Sequence, residues 1–282
     1  MSTALHNQIK DALHLDVVRS VPLSGGCVGD VRAVELSDGS TVVVKAGGHQ
    51  LDLEGWMLQY LSDHSALPVP QVLHSAADLL IMSHIKTSGG INGEVERDAA
   101  DYLAALHSNT GEAFGLNRDT PIGGVRQPNP FSPSWIIFFA EHRLLYMARN
   151  AYTSARLPAA LVSRIEILCG RLDTWLSEPE APALIHGDMW TGNVLCRDGK
   201  IAGFVDPAIY YADPEIELAF ATLFNTFGDV FFDRYAEHRP LNPDFFEVRR
   251  DLYNLYPLLV HVRLFGGSYV TSVEQTLQRF GI

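Results

Sequence analysis

The sequence predicts an α+β chain in two lobes: an N-terminal antiparallel sheet with one main helix, then a largely helical part carrying a β-hairpin. Three observations predict it. Residues 15–46 contain three short runs rich in β-branched residues, separated by turn signals. From Glu94 onward the pattern is mostly helical. Within that helical part, Ala183-Leu184-Ile185, Val194-Leu195-Cys196 and Ile201 to Val205 are apolar runs of strand length, the last two joined by the turn Arg197-Asp198-Gly199-Lys200. Residues 1–86 are assigned to the N-lobe and 87–282 to the C-lobe.

The elements follow in order. Met1 to Leu15 mixes His, Lys and Asp with apolar residues, which suits a short amphipathic helix and lacks the core of a signal peptide. Leu15 to Leu23, Val31 to Leu36 and Thr41 to Lys45 read as strands. The loop Ser24-Gly25-Gly26-Cys27-Val28-Gly29-Asp30 has the small residues that let backbone amides approach a phosphate. By itself it also reads as a plain glycine-rich hairpin. Lys45 closes a buried strand on a long cation. In the helix from about Gln50 to His64, Leu51, Glu54, Leu58 and Leu61 share one face, while Asp52 falls on another with Trp56, Gln59 and Asp63. A carboxylate inside an apolar stripe needs a partner, so Glu54 is the expected partner of Lys45 and Asp52 the solvated residue.

Pro68-Val69-Pro70 breaks the chain, and Val72 to Ser75 and Leu79 to Ile85 are two more strands. Met82 and His84 sit where a hinge between lobes belongs, where backbone groups would bond adenine. Glu94 to Ser108 is a helix whose His107 is expected to cap or pack. Residues 109–133 form a long, polar, turn-rich segment, a length that in a compact lobe points to function or disorder. Helices follow at about 134–152 and 158–176. Asp213-Pro214-Glu215 reads as a cap, a first-position proline and a dipole-complementing acid. Three further helical segments, broken at Pro240, Pro243 and Gly266-Gly267, reach Ile282.

The chemistry concentrates in His186-Gly187-Asp188-Met189-Trp190-Thr191-Gly192-Asn193 and Val205-Asp206-Pro207. A carboxylate at 188, an amide at 193 and a second carboxylate at 206, all at strand ends, have the spacing of a phosphotransferase site. Asp188 would orient and deprotonate a hydroxyl, Asn193 and Asp206 would hold Mg²⁺, and Lys45 would contact the ATP phosphates. His186 is expected to support the loop backbone.

On these residues the chain resembles the fructosamine/ketosamine kinase family, which groups with the aminoglycoside- and choline-kinase-like phosphotransferases. Gly25-Gly26-Cys27, Val44-Lys45, Phe114-Gly115 through Ile122-Gly123, Gln127 to Asn129, Trp135, Phe138-Phe139, Arg143-Leu144, the 186–193 segment, Val205-Asp206-Pro207-Ala208 and Leu255 to His261 carry the resemblance. Trp190 discriminates within it, because aminoglycoside kinases usually have His-Pro where this chain has Trp-Thr. Gly29 and Asp30 stand where relatives often carry other polar residues, Glu217 replaces a usual Asp, and Val-Asp-Pro replaces the Asp-Phe-Gly of protein kinases. The resemblance implies a protein-kinase-like fold and an ATP- and Mg²⁺-dependent transfer to a ketosamine hydroxyl, the one on carbon 3. It places Gly25, Gly26, Cys27, Val28, Lys45, Glu54, Met82 and His84 at the nucleotide. Trp190, Trp135 and Glu217 are the candidate acceptor residues, with Trp190 reading equally as a packing aromatic. Cys27 reads as a small residue in a tight loop or as a redox-sensitive thiol.

Two alternatives remain on sequence alone: a kinase for another small alcohol, such as an aminoglycoside, choline or homoserine-like acceptor, and a nucleotide-binding pseudokinase. Bulk properties narrow the rest. With 33 acidic against 21 basic residues the net charge is −12, which opposes a nucleic-acid partner. The 282 residues hold no long apolar run, so no membrane partner is expected. Three scattered cysteines give neither a disulfide framework nor a zinc site, and a cytoplasmic setting follows. The expected partner is a ketosamine-type small molecule or a glycated lysine, and the expected state a monomer or weak homodimer.

Overall fold

The computed structural model describes residues 1–23, 29–48 and 50–282. Helix α1 (Thr3–Leu13), capped by the Ser2 hydroxyl, buries Leu5 and Ile9 against the first sheet. The sheet contains β1 (Val17–Pro22), β2 (Asp30–Leu36), β3 (Thr41–Ala46), β4 (Val72–Ala76) and β5 (Leu79–Ser83), with α2 (Leu51–His64) between β3 and β4. Its order is β1-β2-β3-β5-β4, and the neighbouring strands run antiparallel. The β2–β3 register pairs Val31 with Lys45, and the β3–β5 register pairs Lys45 with Leu80. That fixes the lysine in a central strand, with Val34, Val42, Val44 and Ile81 packed on α1. On α2, Leu51 and Leu58 pack with Leu80 and Met82. Gly55 lets the helix lie close, since a Cβ there would collide with Ser75 and press on Leu80.

From Gly93 the chain is mainly helical: α3 (Gly93–Leu106), a hairpin of β6 (Thr120–Ile122) and β7 (Val125–Gln127), α4 (Trp135–Phe138), α5 (Tyr146–Thr153) and α6 (Ala159–Cys169). Asn92 caps α3 by accepting from the backbone N–H groups of Glu94 and Val95. Next come β8 (Ala183–Ile185), the hairpin β9 (Val194–Arg197) and β10 (Lys200–Phe204), and β11 (Tyr210–Ala212). Helices α7 (Glu215–Leu223), α8 (Asp229–His238), α9 (Arg250–Phe265) and α10 (Ser268–Arg279) complete it. One large core joins these elements, with α9 crossing its centre through Leu252, Leu255, Leu259 and Val262. No helix among the described residues is long and apolar enough to cross a membrane.

Several expectations are revised. The segment 109–133 is neither disordered nor structureless. Its polar side chains are turned inward: Gln127 and Asn129 both donate to the Thr120 hydroxyl, at 2.8 and 2.9 Å, and Tyr256 donates to Gln127 at 2.6 Å. Polarity there signals a buried hydrogen-bond network rather than solvent. The helix expected at 134–152 contains a π-helical stretch, Phe139–Leu145, in which Arg143 is fully buried. The guanidinium donates to Pro128 O and Asn129 Oδ1 and lies 3.8 Å from the Tyr210 ring centroid. The helix expected at 158–176 stops at Cys169, with one 3₁₀ turn at Leu172–Thr174. Strand β11, not foreseen, pairs with β8 and links Leu184 to Tyr211.

Candidate active site

A strand, a helix and two loops converge here, with Lys45 on the strand. The Nζ of Lys45 is 2.6 Å from Glu54 Oε1 and also bonds Asp206 Oδ1. Burial disfavours the ammonium, but Glu54 and Asp206 outweigh it and hold the proton above the usual lysine range. Lys45 is thus charged and clamped between α2 and the segment after β10. Asp206 adopts φ +56°, a left-handed conformation that Asp tolerates better than most residues.

The loop after β8 carries Asp188. Gly187, at φ +86°, has no room for a Cβ, which would collide with the Ala208 carbonyl. That contact accompanies the bond from Ala208 N–H to His186 O at 2.8 Å, which ties this loop to the Asp206 segment. Asn193 donates through Nδ2 to Asp188 O at 2.8 Å and to Asp188 Oδ2 at 3.0 Å. With its amide hydrogens so engaged, the Asn193 oxygen is left as an acceptor. Burial pushes the Asp188 carboxyl up to about 7; Asn193 opposes this, while Asp206 and Glu217 add to it.

Behind the loop lies a buried network. Glu217 accepts from Gly187 N–H at 2.7 Å, from His186 N–H at 3.2 Å, and pairs with His107 Nε2 at 2.8 Å. His107 Nδ1 meets the Tyr235 hydroxyl at 2.7 Å. Burial works against the Glu217 charge, yet His107 and the loop amides hold it below the usual range. Glu217 therefore braces the loop backbone. The expectation that it contacts the acceptor is corrected: it is 2% exposed and its oxygens are taken. His107 packs, as expected, hydrogen-bonded between Glu217 and Tyr235. His186 is fully buried, its Nδ1 3.4 Å from Asp188 N–H.

Trp135 is also corrected. It is fully buried, donates to the Tyr253 hydroxyl at 3.0 Å, stacks among Phe138 and Phe139, and does not line the cavity beside Asp188. Trp190 is partly exposed, folds over Gly192 and lines a cavity of about 400 Å³ beside Asp188. The other walls come from Ile122 and Gly123 of the β6–β7 turn, Phe220 and Phe224, and the face of α9 at Pro257, His261 and Phe265. Sequence reasoning gave these residues no site role. The available signals were Ile122-Gly123 and the run Leu255 to His261, which carried the resemblance without a structural reason. Met82 is buried under α2, and His84 follows β5 half-buried, in the connection leading to α3. Gly25, Gly26, Cys27 and Val28 lie outside the described residues.

The fructosamine kinase family model matches residues 1–281. The chain belongs to the fructosamine kinase family. A Synechocystis protein designated a ketoamine kinase is 40% identical over 181 residues, a match spanning 63% of this chain and 59% of that relative. Another so designated, from Vibrio parahaemolyticus, is 30% identical over 292 residues and 99% of both chains. A Thermobifida fusca structure carrying the designation fructosamine-3-kinase superposes with TM-score 0.87 at 31% identity, covering 99% of this chain and 98% of that one. An aminoglycoside phosphotransferase structure covers 99% of both chains with TM-score 0.68 at 15% identity, which shows the shared fold alone. This family member thus has the expected two-lobed protein-kinase-like fold.

Proposed function

We propose that this family member is an ATP-dependent kinase of ketosamines, phosphorylating a sugar hydroxyl, by the family resemblance the one on carbon 3. One observation carries the reading. Asp188 lines the acceptor cavity on one side and is held by Asn193 on the other, within the electrostatic reach of Asp206 and its Lys45 partner. A hydroxyl in the cavity and a phosphoryl group held at Lys45 would meet at this carboxylate.

Asp188 accepts the hydroxyl proton late, acting chiefly by positioning, because the transition state of phosphoryl transfer is loose. Lys45 binds phosphate oxygens, and Glu54 keeps it extended toward them. By the family resemblance Gly25, Gly26, Cys27 and Val28 would supply the phosphate loop, and the connection at His84 would support adenine, with Met82 just before it, its backbone paired in the sheet with Val43 and Val72. Asn193 and Asp206 fit Mg²⁺: both offer hard oxygens, and a protein contribution of one or two such ligands alongside nucleotide phosphates is the usual Mg²⁺ arrangement. Among the described residues no group of three or more His, Cys, Asp and Glu could hold a metal. When bound, Mg²⁺ offsets charge on the phosphates.

Trp190 offers a face to the sugar or its amine. A ketosamine on a free amine or on a protein lysine fits this reading, in a cytoplasmic protein. The Asp188→Asn variant tests the assignment. Nucleotide binding by calorimetry should persist while turnover falls by a factor of ~10² to 10⁴, about 3–5 kcal/mol of transition-state stabilisation. Comparable turnover in the variant would sink the role of Asp188.

A further inference from the structure

The segment between α3 and α4 meets the rest of the molecule at two functional places. Its hairpin tip, Ile122 and Gly123, walls the acceptor cavity. A few residues earlier, Arg118 lays its guanidinium over the indole of Trp56, 4.1 Å from the ring centroid. Among the described residues Arg118 forms no salt bridge, so this ring is its charged group's partner. Trp56 follows Glu54 by two positions in α2, which at about 100° per residue puts them on opposite faces of the helix. Helix α2 is therefore held from both sides. Toward the sheet, Glu54 reaches Lys45 and Gly55 allows close approach to Ser75 and Leu80. Toward the C-terminal part, Trp56 meets Arg118, and the Tyr60 hydroxyl is 3.1 Å from that of Tyr211. Tyr211 itself exchanges backbone bonds of 2.9 and 3.0 Å with Gly115, in the same segment as Arg118.

We propose that Arg118 is a positioning residue for the nucleotide side: it backs α2 through Trp56 and so holds Glu54 against Lys45. The physical need is plain. Glu54 is a mostly buried carboxylate on a helix end, and outward movement of α2 would hydrate it and release Lys45. A contact on the far face blocks that movement. The proposal rests on the reading of Lys45 as the nucleotide's cation, and it gives the segment between α3 and α4 a second role beyond the acceptor wall.

The test is a double-mutant cycle on Arg118→Ala and Trp56→Leu, with Arg118→Lys as the conservative variant. The readouts are the dissociation constant for Mg-ADP by calorimetry and the separate KM values for ATP and acceptor. Each single variant is expected to weaken Mg-ADP about two- to fivefold, the range set by an exposed cation–π contact, with the acceptor KM unmoved. The double variant should be no weaker than the singles, and Arg118→Lys should restore most of the loss. Additive losses, or a change in acceptor KM with nucleotide affinity intact, would overturn the proposal. A wild-type protein that binds no nucleotide would instead overturn the reading of Lys45 on which it rests. Arg118 is exposed, so its variants are expected to fold, and Arg118→Lys gives a second reading on the same helix face.

Discussion

At the scale of single residues, the site is decided by which carboxylates keep a proton and which keep a partner. Burial pushes the Asp188 carboxyl up to about 7, and among the described residues its side chain has one amide donor, Asn193. Its folded value is raised, so the ionised form needed to accept a proton is present above about 7 and lost as pH falls through it. Turnover should therefore have an acidic limb near neutrality, and a nearby bound cation should draw that limb downward. Turnover measured against pH at two Mg²⁺ concentrations checks this; a flat profile across that range would contradict it. Glu217 behaves oppositely, held ionised by His107 and the loop amides. Glu217→Ala strands His107 and two backbone N–H groups in the interior, at a cost of about 3 kcal/mol or more by urea unfolding. Loss of turnover should accompany it, because Gly187 and Asp188 lose their brace.

At the scale of elements, the strands and the large helices were legible because their signals are local. The Val42-Val43-Val44-Lys45 run gives a central strand, and the apolar stripe containing Glu54 selects it over Asp52 as the partner of Lys45. What was not legible depends on contacts distant in sequence. Gln127, Asn129 and Thr120 look like loop residues until Tyr256 and Arg143 are seen to satisfy them. Strand β11 has only three residues and exists because β8 is beside it. Trp135 illustrates the limit, since an aromatic at a helix start gives no hint of whether it faces a ligand or Tyr253. Trp135→Phe should cost about 1 kcal/mol through the lost hydrogen bond and leave the acceptor KM unchanged. A marked rise in that KM would return Trp135 to the acceptor site.

At the scale of the whole molecule, the proposed functional groups come from parts far apart in the chain. Lys45 belongs to the sheet, Glu54 to α2, Asp188 and Asn193 to the loop between β8 and β9, and Asp206 to the segment after β10. The spacing of Asp188, Asn193 and Asp206 was readable because they flank a single hairpin. The acceptor cavity was not, because its walls are drawn from the β6–β7 turn, α7, α9 and α10. That cavity is largely apolar and aromatic, with Asp188 its carboxylate. Such walls suit the nonpolar faces of a sugar adduct and the stem of its amine more than a polycationic aminoglycoside.

The most direct measurement is ADP release with Mg-ATP against fructosyl-lysine, ribulosyl-lysine, kanamycin, choline, homoserine and no acceptor, with Asp188→Asn alongside. The account predicts turnover confined to the ketosamines and lost in the variant. Turnover on kanamycin, choline or homoserine in preference to the ketosamines, or equal turnover in the variant, would contradict it.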